Sequence, residues 1–306
     1  MENVIILGGG IAGLSAAIYA ARAKLNPIVI TGYESGGQLM WTTDVENYPG
    51  FPEGVLGPDL IERMRKQAER FGTRLVYKRC EAIGGEEHAW ECDLGDETIT
   101  AKTIIIATGA TARVLGLEAE KTYMGRGIST CATCDGAFTK DKKAIIVGGG
   151  DSAMEESTFL TKFAEHVTIV HRSDSFRASK IMQERALKNP KISVEWNSEV
   201  IDVTGDGTRV RGAVLRDTQT GEERAMETDF VFYAIGHIPN TGFLKGIVET
   251  DERFKTIITN ERYMTSVPGI FACGDVQDPI WRQAVTAAGS GAAAAISAER
   301  YLAEHE

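Results

Sequence analysis

The sequence has no unbroken apolar run near the roughly 18 residues that a membrane-spanning helix requires. Its most apolar stretch, Gly291 to Ala298, is short and mostly alanine, so no membrane span is expected. Positive charge is not in excess either: 33 Lys and Arg stand against 43 Asp and Glu, a net charge of -10. That balance repels polyphosphate at long range, and nucleic acid is not an expected partner. Cysteine is sparse, five in 306 residues and an odd number, unlike the paired framework of a small secreted domain. Cys131-Ala132-Thr133-Cys134 has no second CxxC and no paired histidines to complete a zinc site, so no metal is expected. The first buried-strand pattern, Val4 to Leu7, begins so early that it leaves no room for a signal peptide. A cytoplasmic protein is expected.

Glycine is concentrated at particular places. Val4-Ile5-Ile6-Leu7 runs into Gly8-Gly9-Gly10-Ile11-Ala12-Gly13 and then into LSAAIYAAR, a strand, a tight turn and a helix with small residues on its sheet-facing side. In that context GxGxxG binds a dinucleotide: Gly8 makes the turn, Gly10 lets the backbone approach the pyrophosphate, and Gly13 lets helix and sheet pack closely. The helix N-terminus adds N–H groups and partial positive charge. A second apolar strand, Pro27 to Thr31, follows at βαβ spacing and ends without the usual ribose-binding acid, for which Glu34 is the near candidate. The strand Thr103 to Ala107 closes on Thr108-Gly109.

The same grammar restarts 140 positions after Gly8. Ala144 to Val147 leads into Gly148, Gly150, Ser152 and Ala153, the GxGxxA version, and a helix is expected through about Ala164. After the next strand, Val167 to Val170, the acid is replaced by His171-Arg172, with Arg177 following. Cationic groups there favour a 2'-phosphate, so NADPH is preferred over NADH. Phe230 to Ala234 ends in Ile235-Gly236, and Ile270 to Cys273 ends in Gly274-Asp275. A small-residue helix from about Arg282 to Leu302 closes the pattern. If that last strand and helix rejoin the first domain, the second is an insertion: residues 1–112 with 242–306 form one domain and 113–241 the other.

Cys131 and Cys134 lie about ten residues before the insert's second strand-turn-helix copy, in a stretch rich in turn residues. Cysteines three apart close a small, reducible ring. Asp135 directly after them is the candidate general acid, able to protonate a leaving sulfur. Buried structural thiols remain the alternative from the motif alone. Cys80 and Cys92 carry no motif and read as packing residues, as does Cys273.

In order along nearly the whole chain, GGGIAG, ITGYESGGQL, VENYPG, IIATGA, GRGISTCATCDG, VGGGDSAMEE, HRSDSFRASKI, AIGHIPN, FACGDV and WRQAVTAAGSG resemble the low-molecular-weight thioredoxin reductases of bacteria, archaea and plants. The resemblance implies an α/β fold of two Rossmann-like dinucleotide-binding domains, the second inserted in the first, of the three-layer ββα type. It implies FAD in the first domain, lined by Gly37, Gln38, Asn47, Asp275, Arg282, Gln283 and Ala284, and NADPH in the insert. It further implies a homodimer, and thioredoxin or a thioredoxin-like protein as acceptor. By the same resemblance, electrons pass from NADPH through FAD to the Cys131–Cys134 disulfide. Cys134 exchanges with the flavin, Cys131 attacks the thioredoxin disulfide, and Asp135 serves as acid.

Three positions depart from the family's pattern. Ser173 stands where a second arginine is usual, which leaves NADH possible. Ala137 replaces an aromatic that contributes to docking, and Cys273 replaces a smaller residue. Two other readings compete: a flavin-dependent dithiol oxidase that passes electrons to oxygen, and a redox-sensing flavoprotein without turnover. The second glycine loop and its arginines argue against the oxidase, and against a ferredoxin-fed reductase, since neither needs a nicotinamide site.

Overall fold

A computed structural model describes the whole chain except Glu34, Thr43 and Glu306. The described residues form two compact units, Met1–Thr111 with Ile238–Glu306, and Ala112–His237. The first unit opens with β1 (Glu2–Leu7), α1 (Ile11–Arg22), β2 (Ile28–Ile30), α2 (Gly57–Arg70), β3 (Arg74–Val76), β4 (Ala82–Glu86), β5 (Ala89–Asp93) and β6 (Thr98–Ile106). The second contains β7 (Ile128–Ser129), α3 (Ala132–Asp135), β8 (Lys143–Val147), α4 (Asp151–Leu160), β9 (His166–Val170), α5 (Lys180–Leu187), β10 (Ile192–Glu195), β11 (Ser198–Gly205), β12 (Val210–Asp217), β13 (Glu223–Glu227) and β14 (Phe230–Tyr233). Back in the first unit lie β15 (Ile270–Ala272) and α6 (Ala284–Glu304).

In the first unit β1, β2, β3, β6 and β15 run parallel, while β4 and β5 extend the sheet as an antiparallel hairpin. β6 serves both parts: Thr103 to Ile106 pair with β1, and Thr98 to Ala101 pair with β5. Parallel strands covered on both faces need continuous apolar runs, which is why Ile104-Ile105-Ile106 is fully buried. Each such side chain contributes about 1.5–3 kcal/mol of burial. Val4, Ile6, Ile105 and Phe271 face α1 and α6, whereas Ile5, Leu7, Ile104 and Ile106 face Trp90, Cys92 and Leu244. The small residues of α6 allow backbone contact with α1. A Cβ on Gly291 would lie 2.1 Å from the Ala12 carbonyl oxygen, and Ala294, Ala295 and Ala298 are sealed in the interface.

The second unit repeats the plan with a five-stranded parallel sheet in the order β7-β14-β8-β9-β10. On one face Ile146, Ile169 and Phe232 pack against Met154 and Leu160 of α4. On the other, the antiparallel sheet β11-β12-β13 supplies Val200, Val203, Val210 and Leu215 against Ile145, Val231 and Tyr233. The α/β architecture expected above, two Rossmann-like units of layered ββα type, is therefore the one observed.

Two helix boundaries differ from expectation. α4 ends at Leu160, not near Ala164: the Lys162 and Phe163 N–H groups turn to the i−3 carbonyls of Phe159 and Leu160, and the Lys191 ammonium takes the Thr161 and Ala164 carbonyls at 3.0 and 2.9 Å. α6 begins at Ala284, not Arg282. Arg282 is left-handed at φ 48, and Gln283 caps the helix through reciprocal bonds with Thr286.

Candidate active site

The first glycine loop follows β1 directly. Gly8 has φ 116, and a Cβ there would lie 2.2 Å from the Ala107 carbonyl oxygen. A Cβ on Gly13 would lie 1.9 Å from the Gly8 carbonyl oxygen. Neither position admits a side chain: the backbone just after β6 closes Gly8, and the loop itself closes Gly13. Gly10 differs: the nearest atom to a Cβ there is 3.9 Å away. It caps α1 with its side-chain position facing open space, bounded by Gly36 and Gly37. A cradle whose only obstacle to a side chain is the ligand it would hold fits a pyrophosphate at a helix N-terminus.

Other expected residues gather in the same unit. Asn47 and Gln283, 236 positions apart, are joined by the Asn47 amide donating to Gln283 Oε1 at 3.3 Å. Thr108 donates to the Asn240 carbonyl at 2.9 Å, the Asn240 amide returns the bond to the Thr108 carbonyl, and the Gly109 carbonyl accepts from Asn240 N–H. Asp275 is pushed up to about 6, first by burial and then by Asp278, with Arg282 opposing. Asp278 itself accepts from the backbone N–H groups of Ile280, Trp281 and Arg282 and shapes the entry to α6, where Ala284 is the first helical residue. Gln38 is exposed on the short helical turn that starts at Gly37. Glu34 lies outside the described residues.

In the second unit Gly148 has φ 154, and a Cβ there would lie 2.6 Å from the Ala234 carbonyl oxygen, just before Ile235-Gly236. At Gly150, the cap of α4, a Cβ would meet nothing within 4 Å. Ser152 is exposed at the first turn of α4 and Ala153 is buried against Gly148. Of the three expected cationic residues, His171 is buried and the two arginines are exposed. The His171 ring covers Gly149, where a Cβ would lie 2.2 Å from the imidazole. Burial lowers its pKa, with Arg177 and Arg172 adding to that and the Ser175 carbonyl opposing, so the ring is neutral at pH 7. Arg172 and Arg177 are exposed, and the Arg177 backbone N–H is bonded to the Gly149 carbonyl at 2.8 Å. Arg177 is thus carried beside the loop by backbone pinned to it, while the Arg172 carbonyl accepts from the Thr218 hydroxyl at 3.1 Å.

Cys131 and Cys134 are bonded as a disulfide at the start of α3. Cys131 caps the turn, its Sγ accepting from Cys134 N–H at 3.2 Å, while Ser129 Oγ accepts from Cys131 N–H at 3.1 Å. Asp135 is half-buried. Burial pushes its carboxyl up, opposed by a hydrogen bond with Ser129. Gly136 seats this turn on α4, since a Cβ there would lie 2.9 Å from the Phe159 ring. One helix therefore carries the second glycine loop at its N-terminus and the disulfide turn on its flank.

The family described as pyridine nucleotide-disulphide oxidoreductase matches residues 2–291. The chain belongs to this family. Within it, a thioredoxin reductase of Mycolicibacterium smegmatis is 51% identical over 306 residues, spanning 100% of this chain and 98% of its own. The protein named NADPH-dependent thioredoxin reductase 3 in Arabidopsis thaliana is 50% identical over 99% of this chain and 58% of its own. Among solved structures, thioredoxin reductase from Streptococcus pyogenes superimposes with a TM-score of 0.96 at 41% identity, covering 99% of each chain.

This disulphide oxidoreductase has one further group beside the disulfide that sequence reasoning passed over. Glu156 on α4 accepts from the Ala132 backbone N–H inside the CxxC, and its Oε2 is sealed from solvent with no hydrogen-bond partner among the described residues. Burial first, and then the neighbouring Glu155, push its carboxyl up to about 8. The available signal is its spacing. Ala153, Glu156 and Leu160 lie at i, i+3 and i+7 of one helix, and both alanine and leucine are buried, so the glutamate falls on an inward stripe.

Proposed function

We propose that this oxidoreductase is a thioredoxin-disulfide reductase that draws on NADPH and FAD to keep Cys131 and Cys134 reduced, and that its acceptor is thioredoxin or a thioredoxin-like protein. The observation that carries this is the disulfide turn seated on the helix whose N-terminus forms a dinucleotide cradle. FAD would lie along Gly8, Gly10, Gly13 and Gly37 and toward Asn47, Asp275 and Gln283, and when bound it supplies a two-electron relay between a nicotinamide and a disulfide. The capped N-terminus of α6 offers partial positive charge to whatever negative charge lies against it. NADPH would lie at Gly148 and Gly150, with Arg172 and Arg177 taking its 2'-phosphate.

The sulfur steps balance within the two proteins. The Cys131 thiolate attacks one acceptor sulfur, an intermolecular S–S bond forms, and the acceptor's other sulfur leaves and takes a proton. The Cys134 thiolate then attacks the Cys131 sulfur, restoring the internal bond and releasing the second acceptor sulfur. Two electrons and two protons pass to the acceptor. Asp135, its carboxyl raised by burial, is the acid that delivers a proton to the departing sulfur. Glu156, protonated at neutral pH, fixes the Ala132 end of the turn without placing a charge beside the thiolates. The family likeness further supports a homodimer as the working assembly.

Steady oxidation of NADPH by purified holoenzyme, dependent on added thioredoxin and not on oxygen, is the expected behaviour. Oxygen uptake driven by a small dithiol, without nicotinamide, would instead mark a dithiol oxidase, and no turnover at all a sensor. Substituting Arg177→Ala is expected to raise KM for NADPH about 10-fold and leave KM for NADH unmoved, because only the former carries the extra phosphate. An equal change in both would return Arg177 to an ordinary surface role.

Glu156 also sets a pH dependence. Its folded pKa, about 8, lies above its ordinary 4.5, so between those values the folded chain holds a proton that the unfolded chain has lost. Its contribution to stability is complete below pH 4.5 and is lost as pH rises through 8. Comparing thermal midpoints of wild type and Glu156→Gln across that window should show the wild type falling relative to the variant as pH rises. Parallel curves would remove the assignment.

A further inference from the structure

Cys80 and Cys92 take no part in the reaction above, and no motif marks them. Cys80 sits in the irregular connection between β3 and β4, and Cys92 lies on β5. Their Sγ atoms are 2.9 Å apart. About 1 Å of further approach would complete an S–S bond. The flanking backbone already holds them in this relation. Cys92 is paired with Ile83 in the β4-β5 ladder, and Glu81 N–H donates to the Asp93 carbonyl at 2.8 Å. Closing the bond would therefore cost little additional backbone order.

The two sulfurs are not equivalent. Cys92 is fully buried, whereas Cys80 keeps 8% exposure. Hydrogen bonding from Cys92 favours the Cys80 thiolate, with burial opposing, while Cys92 is held as the thiol. Cys80 is the nucleophile of the pair, and only a small oxidant can reach it. Its position outside regular secondary structure makes the local opening that admits such a molecule inexpensive.

We propose that Cys80 and Cys92 form a second redox pair, an oxidation site for hydroperoxides that is separate from the catalytic disulfide. The Cys80 sulfur attacks the peroxide, the O–O bond breaks, and one water leaves when the oxidant is hydrogen peroxide, giving a sulfenic acid at Cys80. The Cys92 sulfur then attacks the Cys80 sulfur, the S–S bond forms, the S–O bond breaks, and a second water leaves. The two thiols together give up two electrons and two protons, and one peroxide becomes two waters.

The sequence supplies a clean readout. Tryptic cleavage after Arg79 and Lys102 puts Cys80 and Cys92 in one peptide, residues 80–102, while Cys131, Cys134 and Cys273 fall elsewhere. Holoenzyme treated with hydrogen peroxide, then denatured in an alkylating agent and digested, should yield this peptide lighter by two hydrogens and unalkylated. Untreated protein should yield it doubly alkylated. In Cys92→Ala, Cys80 should be trapped as a sulfenic acid by dimedone, and in Cys80→Ala, Cys92 should stay unoxidised at the same dose. Oxidation should raise the thermal midpoint by roughly 2–6 °C in wild type and not in Cys80→Ala. Thioredoxin-dependent turnover of Cys80→Ala should stay within about twofold of wild type, since Cys80 is outside the machinery described above. Should either variant fail to fold, the wild-type peptide decides alone. Recovery of that peptide doubly alkylated after peroxide, or with Cys80 over-oxidised to a sulfinic acid and Cys92 free, would overturn the proposal.

Discussion

Cys134→Ser is expected to end thioredoxin-dependent NADPH oxidation, a loss of at least about 1,000-fold, while NADPH still bleaches the bound flavin. Serine at this position cannot close the internal S–S bond that releases the acceptor. Cys131 keeps its place as cap of the CxxC turn, held by Ser129, and retains a sulfur able to attack. A single attack should therefore leave thioredoxin joined to Cys131, a covalent complex visible on a non-reducing gel and dissolved by added dithiol. Cys131→Ser should lose turnover equally and form no such complex through the acceptor-facing sulfur. Retained turnover in Cys134→Ser, or trapping in Cys131→Ser instead, would reverse the order of the two sulfurs.

Gly10→Ala should produce a folded but colourless protein. The backbone there is extended at φ -80, which any residue adopts, and among the described residues the added methyl would find no atom beyond its chain neighbours nearer than 3.9 Å. Nothing in the fold resists the change. The methyl would occupy the space where a pyrophosphate approaches the backbone, so FAD affinity should fall about 100-fold or more with the apoprotein's thermal midpoint unchanged. Gly13→Ala is the contrast, because its methyl would strike the Gly8 carbonyl and damage the loop itself. A yellow Gly10→Ala protein with full FAD content would place the flavin elsewhere.

Both glycine loops were legible in the sequence because their chemistry is local: a strand end, three small residues and a helix start lie within about a dozen positions of one another. The CxxC was legible for the same reason. Pairings across long separations were not. Asn47 and Gln283 meet over 236 positions, and they entered the reading only through family resemblance. Cys80 and Cys92 stand only 12 apart, yet what joins them is the hairpin β4-β5, whose Ala-Ile-Gly-Gly-Glu strand carries little alternation to announce it. The antiparallel layer of the second unit likewise entered only through the resemblance, because a register shift between Val200 and Asp202 breaks the period-two pattern. At His171, a residue type assigned to charge recognition turned out to cover a glycine, since sequence gives the side chain's chemistry but not its direction. Glu156 was hidden by its neighbour: of two adjacent glutamates, only the helix phase tells which turns inward.

The shared use of α4 has a consequence for engineering. Ten residues of helix span about 15 Å, and the two tasks proposed for it, choosing a coenzyme and setting how readily a dithiol gives up electrons, share that one element. Substitutions that convert coenzyme preference by reshaping Gly148 to Ala153 should therefore shift the midpoint potential of the sulfur pair as well, and such changes will combine non-additively with ones made in the turn.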